Sequence, residues 1–145
     1  MSPLDSIGPL KLGAARSRIR DTAAQLGLEL KHVTETADYF TPEASIQVEY
    51  DNEDRAWFIG INATPSRFRV LFDGVDLFTT DATGVFDLFD KHEGNRTREP
   101  EPNGFTFDRQ IVALWKDDPD SAAWSQIAIG TPKYLTAVQE VMGRP

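Results

Sequence analysis

The sequence predicts an α+β fold, and three observations lead to this prediction. Apolar and polar residues alternate in several short runs, as they do in half-buried antiparallel strands. Other runs carry apolar residues at helical spacing and end in glycine. Two stretches 67 positions apart, Asp51 to Pro65 and Asp118 to Pro132, share an Asp, an Ala-Trp pair and a Thr-Pro pair. We therefore expect a tandem pseudo-repeat of helix plus small antiparallel sheet, with helices packed on one side of the sheet and a C-terminal helix.

We expect one compact domain, residues 1–145, made of two pseudo-repeats of about 4–72 and 73–142. A chain of this length buries roughly 70% of the surface that its unfolded form exposes, which is enough for one hydrophobic core. The acidic turn recurs in kind as well, because Asp118 and Asp120 align with two acids of the first stretch. The pattern favours duplication over coincidence.

The first half contains a predicted helix and a predicted hairpin. Residues 14–26 carry apolar side chains at helical spacing, and Gly27 supplies a C-terminal stop. Residues 45–50 alternate, and the polar DNED run then turns the chain into the apolar RAWFIGI segment, which predicts an antiparallel hairpin. Residues 67–72 alternate again, and the Asp73-Gly74 pair that follows is typical of a tight turn.

The second half repeats this arrangement. A capping residue, Thr80 or Asp81, opens a predicted helix that runs to about Lys91, and Gly94 stops it. The charged, Pro-rich segment 95–104 predicts a loop. The strands FTFDRQ, IVALWK and AAWSQIAIG follow, and a Thr-Pro pair then opens the C-terminal helix TPKYLTAVQEVM.

Composition and charge argue against several classes of function. The chain has no Cys, so neither disulfides nor thiolate metal sites can form. No apolar run approaches membrane-spanning length, and the N-terminus lacks a basic flank before an apolar run, so we expect a cytoplasmic protein with no membrane partner. The net charge of −8 repels phosphate backbones, so no nucleic-acid partner is expected. Five basic residues form either a small positive patch or internal ion pairs: Arg16, Arg18, Arg20, Arg67 and Arg69.

Signatures of catalysis and of metal binding fail one by one. The glycines of residues 8–13 have phosphate-loop spacing, but alanines follow where a Lys and a hydroxyl residue must stand. His92-Glu93 begins like a zinc-protease helix, but Arg96 replaces the second His. The acidic run 51–54 lacks the turn glycine of a calcium loop. We therefore expect a protein that is not an enzyme and has no cofactor and no metal site.

The candidate site residues lie in the repeated stretches. Carboxylates of the two acidic turns would meet cationic groups of a partner, and the sheet aromatics would add buried contact area. Whether the paired tryptophans are core or interface stays open at this point. The candidate partner-binding residues are Asp51, Glu53, Asp54, Trp57, Asp117, Asp118, Asp120 and Trp124.

The run Ile7-Gly8-x-Leu10-x-Leu12-Gly13, followed by a helix that contains Ile19 and by Leu26-Gly27, resembles a known repeat unit. It is similar to the opening of the unit in beta-lactamase-inhibitory proteins and in the small lipoprotein of the outer-membrane assembly machine. The resemblance implies a helical segment that leads into a small antiparallel sheet, two units in tandem, and a sheet surface that grips another protein. Ala14-Ala15 departs from the expected hydroxyl cap, and the Cys pairs of the secreted inhibitors are absent.

The function we expect is that of a non-enzymatic, cytoplasmic protein-binding module. It would be an inhibitor or immunity protein that faces a basic bacterial toxin or enzyme. One alternative is a small-molecule-binding or catalytic domain that uses the cleft between the repeats, with His32 and His92 as polar groups. Another is a structural, self-associating module. The oligomeric state and the identity of the partner are left open by the sequence.

Overall fold

The computed structural model describes residues 1–41, 45–63, 69–94, 96, 99–141 and 143. Within these residues the chain forms three helices and eleven strands. The helices are α1 (Arg16–Gln25), α2 (Ala82–Glu93) and α3 (Pro132–Val141). The strands of the first half are β1 (Ser6–Ile7), β2 (Leu10–Lys11), β3 (Leu30–Val33), β4 (Ala37–Phe40), β5 (Ile46–Tyr50) and β6 (Ala56–Asn62). Those of the second half are β7 (Leu71–Phe72), β8 (Val75–Asp76), β9 (Gly104–Phe107), β10 (Val112–Trp115) and β11 (Gln126–Gly130).

Seven of the described strands form one antiparallel sheet in the order β3-β4-β5-β6-β11-β10-β9. The two halves of the chain meet in the middle of this sheet, where Ile61 of β6 pairs with Ile127 of β11. Each half runs in the same order, with a short hairpin, then a helix, then the strands of the sheet. The expected α+β fold with a C-terminal helix is therefore confirmed.

One face of the sheet carries the core. Six side chains that lie directly across from one another on six neighbouring strands are all buried: Asp38, Val48, Ile59, Ile129, Val112 and Phe107. Helix α2 covers one end of this row, because the Phe86 ring lies 5.2 Å from the Phe107 ring. Helix α1 covers the other end through arginines that bind Asp38. Both helices therefore pack on the same side of the sheet.

The other face carries α3. Phe58 follows the opposite alternation from Ile59, and its ring lies 5.0 Å from the ring of Tyr134. No residue of α3 is buried from Pro132 to Val141. The helix can come this close because the neighbouring strand position is Gly130, where an added Cβ would lie 2.8 Å from Cδ1 of Tyr134. The C-terminal helix is thus docked lightly on the far side of the sheet.

A buried carboxylate joins α1 to the sheet. Asp38 is fully buried and accepts hydrogen bonds from Arg16 (2.8 Å), from Arg20 (2.8 Å) and from the hydroxyl of Tyr50 (2.9 Å). Burial alone would raise the pKa of Asp38, but the hydrogen bonds from the two arginines and the tyrosine outweigh it and lower that pKa. The basic residues of the first helix are therefore partly explained by internal pairing, whereas Arg18 is exposed.

Several elements differ from the expectations drawn from the sequence. Strands β3 and β4 and the β1-β2 hairpin were not predicted. Of the alternating segment 67–72, only Leu71–Phe72 is a strand, and residues 67 and 68 lie outside the described part of the chain. The last strand starts at Gln126, because the preceding Trp124 turns inward and donates its indole N–H to the carbonyl of Ala82 (3.0 Å).

The predicted turn and helix ends agree with the structure better than the predicted strands do. The Asp-Gly turn is confirmed, because β7 and β8 pair around residues 73 and 74, which both have positive φ (51° and 76°). Helix α2 ends at Gly94, as predicted. The hydroxyl of Thr131 accepts the amide N–H of Tyr134 (3.2 Å), which is the expected cap of α3. Part of the predicted 95–104 loop (residues 95, 97 and 98) and Met142 lie outside the described residues.

Candidate functional site

The first acidic turn, residues 51–54, is offset by cations of the same chain. The ammonium group of Lys133 lies 3.4 Å from the carboxylate of Asp51 and 3.8 Å from that of Glu53. Arg16 reaches to 3.5 Å from Asp54. Burial raises the pKa of Asp51, but two backbone N–H donors and Lys133 outweigh that effect and lower it. This turn ties α1 and α3 to the sheet, and cations of the same chain offset part of its charge.

The second acidic turn, residues 117–120, has no such partners. Asp117, Asp118 and Asp120 are all exposed, and no cation among the described residues forms an ion pair with them. The turn is nevertheless well ordered by its own hydrogen bonds. The carboxylate of Asp118 accepts the amide N–H of Asp120 (2.9 Å), and the hydroxyl of Ser125 accepts the amide N–H of Asp117 (3.0 Å).

The two turns share two local hydrogen bonds, and the first turn has additional bonds between Asp51 and Arg55. The carboxylate of Asp51 accepts the N–H of Glu53 at 2.9 Å, the same distance as in the second turn. The N–H of Asp54 donates to the carbonyl of Asp51 (2.9 Å), and the N–H of Ser121 donates to that of Asp118 (3.0 Å). The turns therefore share part of their hydrogen bonding, but they differ in the charges that surround them and in the backbone, since Asp54 has a positive φ of 60° and its counterpart Ser121 does not.

The two tryptophans of the repeated stretches lie in different surroundings. Trp124 is buried in the core, and the ammonium group of Lys116 lies 5.0 Å from its ring centroid. Trp57 is half-buried, with its ring 5.6 Å from that of Tyr134 and 6.0 Å from the ammonium group of Lys133. The indole of Trp124 therefore packs in the core, whereas the indole of Trp57 packs against α3.

Trp115 was not among the predicted site residues, although its side chain is 47% exposed. It ends β10 directly before the second acidic turn, and its indole lies across the backbone of Gly104, where an added Cβ would come within 3.1 Å of Cε3. A signal for it was present in the sequence. Because Val112 and Leu114 point into the core, strand alternation directs Trp115 to the opposite face.

A cleft of about 490 Å³ lies beside this tryptophan. Trp115, Gln126 and Asn62 form one cross-strand row in its wall. Asp117 and the hydroxyl residues Ser121 and Ser125 line its other side. The cleft therefore combines an exposed indole with a carboxylate and several side-chain oxygens, which is a polar arrangement suited to a hydrogen-bonding or cationic group.

The histidines lie elsewhere and apart from each other. His32 is exposed on β3, with its ring 5.6 Å from that of Tyr39. His92 is on α2 and its Nε2 lies 2.6 Å from a carboxylate oxygen of Asp73. Neither lines the cleft. In the part of the chain that the structure describes, no group of three or more His, Cys, Asp or Glu side chains is arranged to hold a metal ion.

Comparison of the chain with models of protein families, with curated proteins and with solved structures found no match. The resemblance to the beta-lactamase-inhibitory proteins therefore stays a prediction. Over the described residues, the helices are too short or too polar to cross a lipid bilayer.

Proposed function

We propose that this chain is a non-enzymatic protein-binding module that binds a basic partner protein through the second acidic turn and Trp115. The observation that carries the proposal is the contrast between the two turns. Lys133 and Arg16 pair with carboxylates of the first, whereas the second presents three exposed carboxylates without an ion-pair partner in the described chain, next to a 47% exposed tryptophan.

The chemistry of this surface fits a cationic protein. Carboxylates that have no ion-pair partner in the described chain, on a protein of net charge −8, attract a basic surface and speed its association, with a range of about 10 Å at 0.1 M salt. Exposed tryptophan supplies the apolar contact area that recurs at the centre of protein interfaces. The carboxylates would therefore attract the partner, and the neighbouring tryptophan would be buried against it, on one continuous surface.

The biological role that we propose is that of an inhibitor or immunity protein in the bacterial cytoplasm, which shields the active surface of a basic toxin or enzyme. The absence of Cys is in keeping with a reducing compartment. The first acidic turn and Trp57 would act mainly by holding α3, and Trp124 by supporting the second turn from the core. Duplication of one ancestral unit is supported by the two hydrogen bonds that the turns share.

The test is affinity co-purification of the tagged chain from its native host at low and at moderate salt. The variant Asp117→Asn/Asp118→Asn/Asp120→Asn should lose the partner. A control with the same change of net charge, Asp21→Asn/Glu29→Gln/Glu35→Gln, alters exposed acids elsewhere and should retain it. The absence of a stable protein partner at both salt concentrations, or its full retention by the first variant, would contradict the proposal.

A further inference from the structure

The cleft beside the second acidic turn has walls that match a planar cation. One of its walls is the half-exposed indole of Trp115, whose Cε3 would lie 3.1 Å from a Cβ added at Gly104. Its rim carries the carboxylate of Asp117, whose backbone is fixed by the hydrogen bond to Ser125. A cation that lies on an indole face and meets a carboxylate gains from both the ring quadrupole and the ion pair.

The same part of the molecule already holds a cation in this way. The ammonium group of Lys116 lies 5.0 Å from the ring centroid of Trp124, and Trp124 also lines the cleft. The face of the Trp124 ring is therefore already occupied by the ammonium group of Lys116. Trp115 is different, because no cation of the described chain is placed over its ring and nearly half of its side chain is exposed.

We infer that the cleft is an anchor pocket for one arginine side chain of the partner. The guanidinium group stacks on Trp115, pairs with the carboxylate of Asp117 and donates its remaining N–H groups to side-chain oxygens of the wall. Arginine fits better than lysine because its guanidinium is planar, is weakly hydrated and offers five donors in a fixed fork. A volume of about 490 Å³ accommodates this long side chain together with bridging water.

This inference rests on the proposed function for the identity of the partner, but its test does not need the partner. The ¹⁵N-labelled chain is titrated with N-acetyl-arginine N-methylamide, and the indole N–H signals of the three tryptophans are followed. Trp115→Phe identifies the signal of Trp115. The citrulline analogue, which has nearly the same shape but no charge, and the lysine analogue serve as matched ligands.

We expect the arginine compound to shift the Trp115 signal with a dissociation constant in the millimolar range, and the citrulline compound to leave it in place. Asp117→Asn should weaken binding about two- to fivefold, as for one exposed ion pair. The control Glu53→Gln removes an exposed acid of the first turn and should change nothing. Trp115→Ala should abolish the saturable shifts of neighbouring amides.

Equal shifts with arginine and citrulline, or none with either, would overturn the inference. Equal affinity for the arginine and lysine compounds would overturn the inference that the pocket prefers arginine. These outcomes are separate from those of the co-purification. A partner that is retained by Trp115→Ala and Asp117→Asn removes the anchor and leaves the binding function standing. If the arginine compound shifts the Trp115 signal saturably but the chain captures no partner, the anchor pocket stands and the proposed binding function falls.

Discussion

Removal of the buried carboxylate by Asp38→Asn should destabilise the fold more than any loss of surface charge. The change leaves Arg16 and Arg20 facing a neutral amide, while the Arg16 side chain is only 12% exposed. Loss of one partner from a buried ion pair costs about 3–5 kcal/mol. Because Arg20 is 39% exposed and can regain water, we place the expected loss near the lower end, at about 3 kcal/mol.

The matched control is Asp54→Asn, which removes a carboxylate from the same arginine. Asp54 is 64% exposed and lies 3.5 Å from Arg16, so its loss should cost no more than about 0.5–1 kcal/mol. Asn also tolerates the positive φ of 60° at this position. Urea unfolding followed by tryptophan fluorescence gives both values, with an unchanged m-value as the check on two-state behaviour.

Acid should affect the wild-type chain and the Asp38→Asn variant differently. Since the folded pKa of Asp38 is lowered, its carboxylate contributes stability above the unfolded pKa of 3.8, and this is lost as the pH falls towards the folded pKa. The difference in stability between the two proteins should therefore shrink below about pH 4. A loss of under about 1 kcal/mol at pH 7, or a difference that does not depend on pH, would refute this account of the network.

Three further predictions concern packing. Gly130→Ala should destabilise the chain by about 1–3 kcal/mol in urea unfolding, because the added methyl group would lie 2.8 Å from Cδ1 of Tyr134; a neutral result would mean that α3 does not dock there. Trp124→Phe removes the hydrogen bond to the carbonyl of Ala82 and should cost about 1–3 kcal/mol by the same measurement; an unchanged midpoint would count against that bond. Backbone amides of α3 should exchange with deuterium well before those of β6, because α3 buries none of its side chains between Pro132 and Val141; equal protection would contradict the light docking.

The elements that were predicted correctly are those with one buried and one open face. Strand β5 alternates because Val48 points to the core and Gln47 does not, so periodicity reports it. Strand β3 was missed because all four of its residues are exposed at the edge of the sheet, and a strand without a buried face leaves no alternation in the sequence. The two-residue strands of the hairpins are too short for any period.

The site was harder to predict because its character depends on contacts between distant residues. The turns share an aspartate and two local hydrogen bonds, and the cation that Lys133 brings to the first turn comes from 82 positions beyond Asp51 in the chain. Likewise, nothing in the local sequence marks Asp38, among 23 acidic residues, as a buried one, since its partners Arg16 and Tyr50 approach it only in the folded chain.

The junction of β6 with β11 sets a condition on how the chain can be divided. Either half alone would leave one of these strands with a bare row of amide and carbonyl groups in the middle of an apolar surface, which is a template for aggregation. If the two halves are co-expressed as separate fragments, however, β6 of one fragment can pair with β11 of the other. The molecule is therefore suited to splitting and reassembly, with the central β6–β11 pairing as the joint.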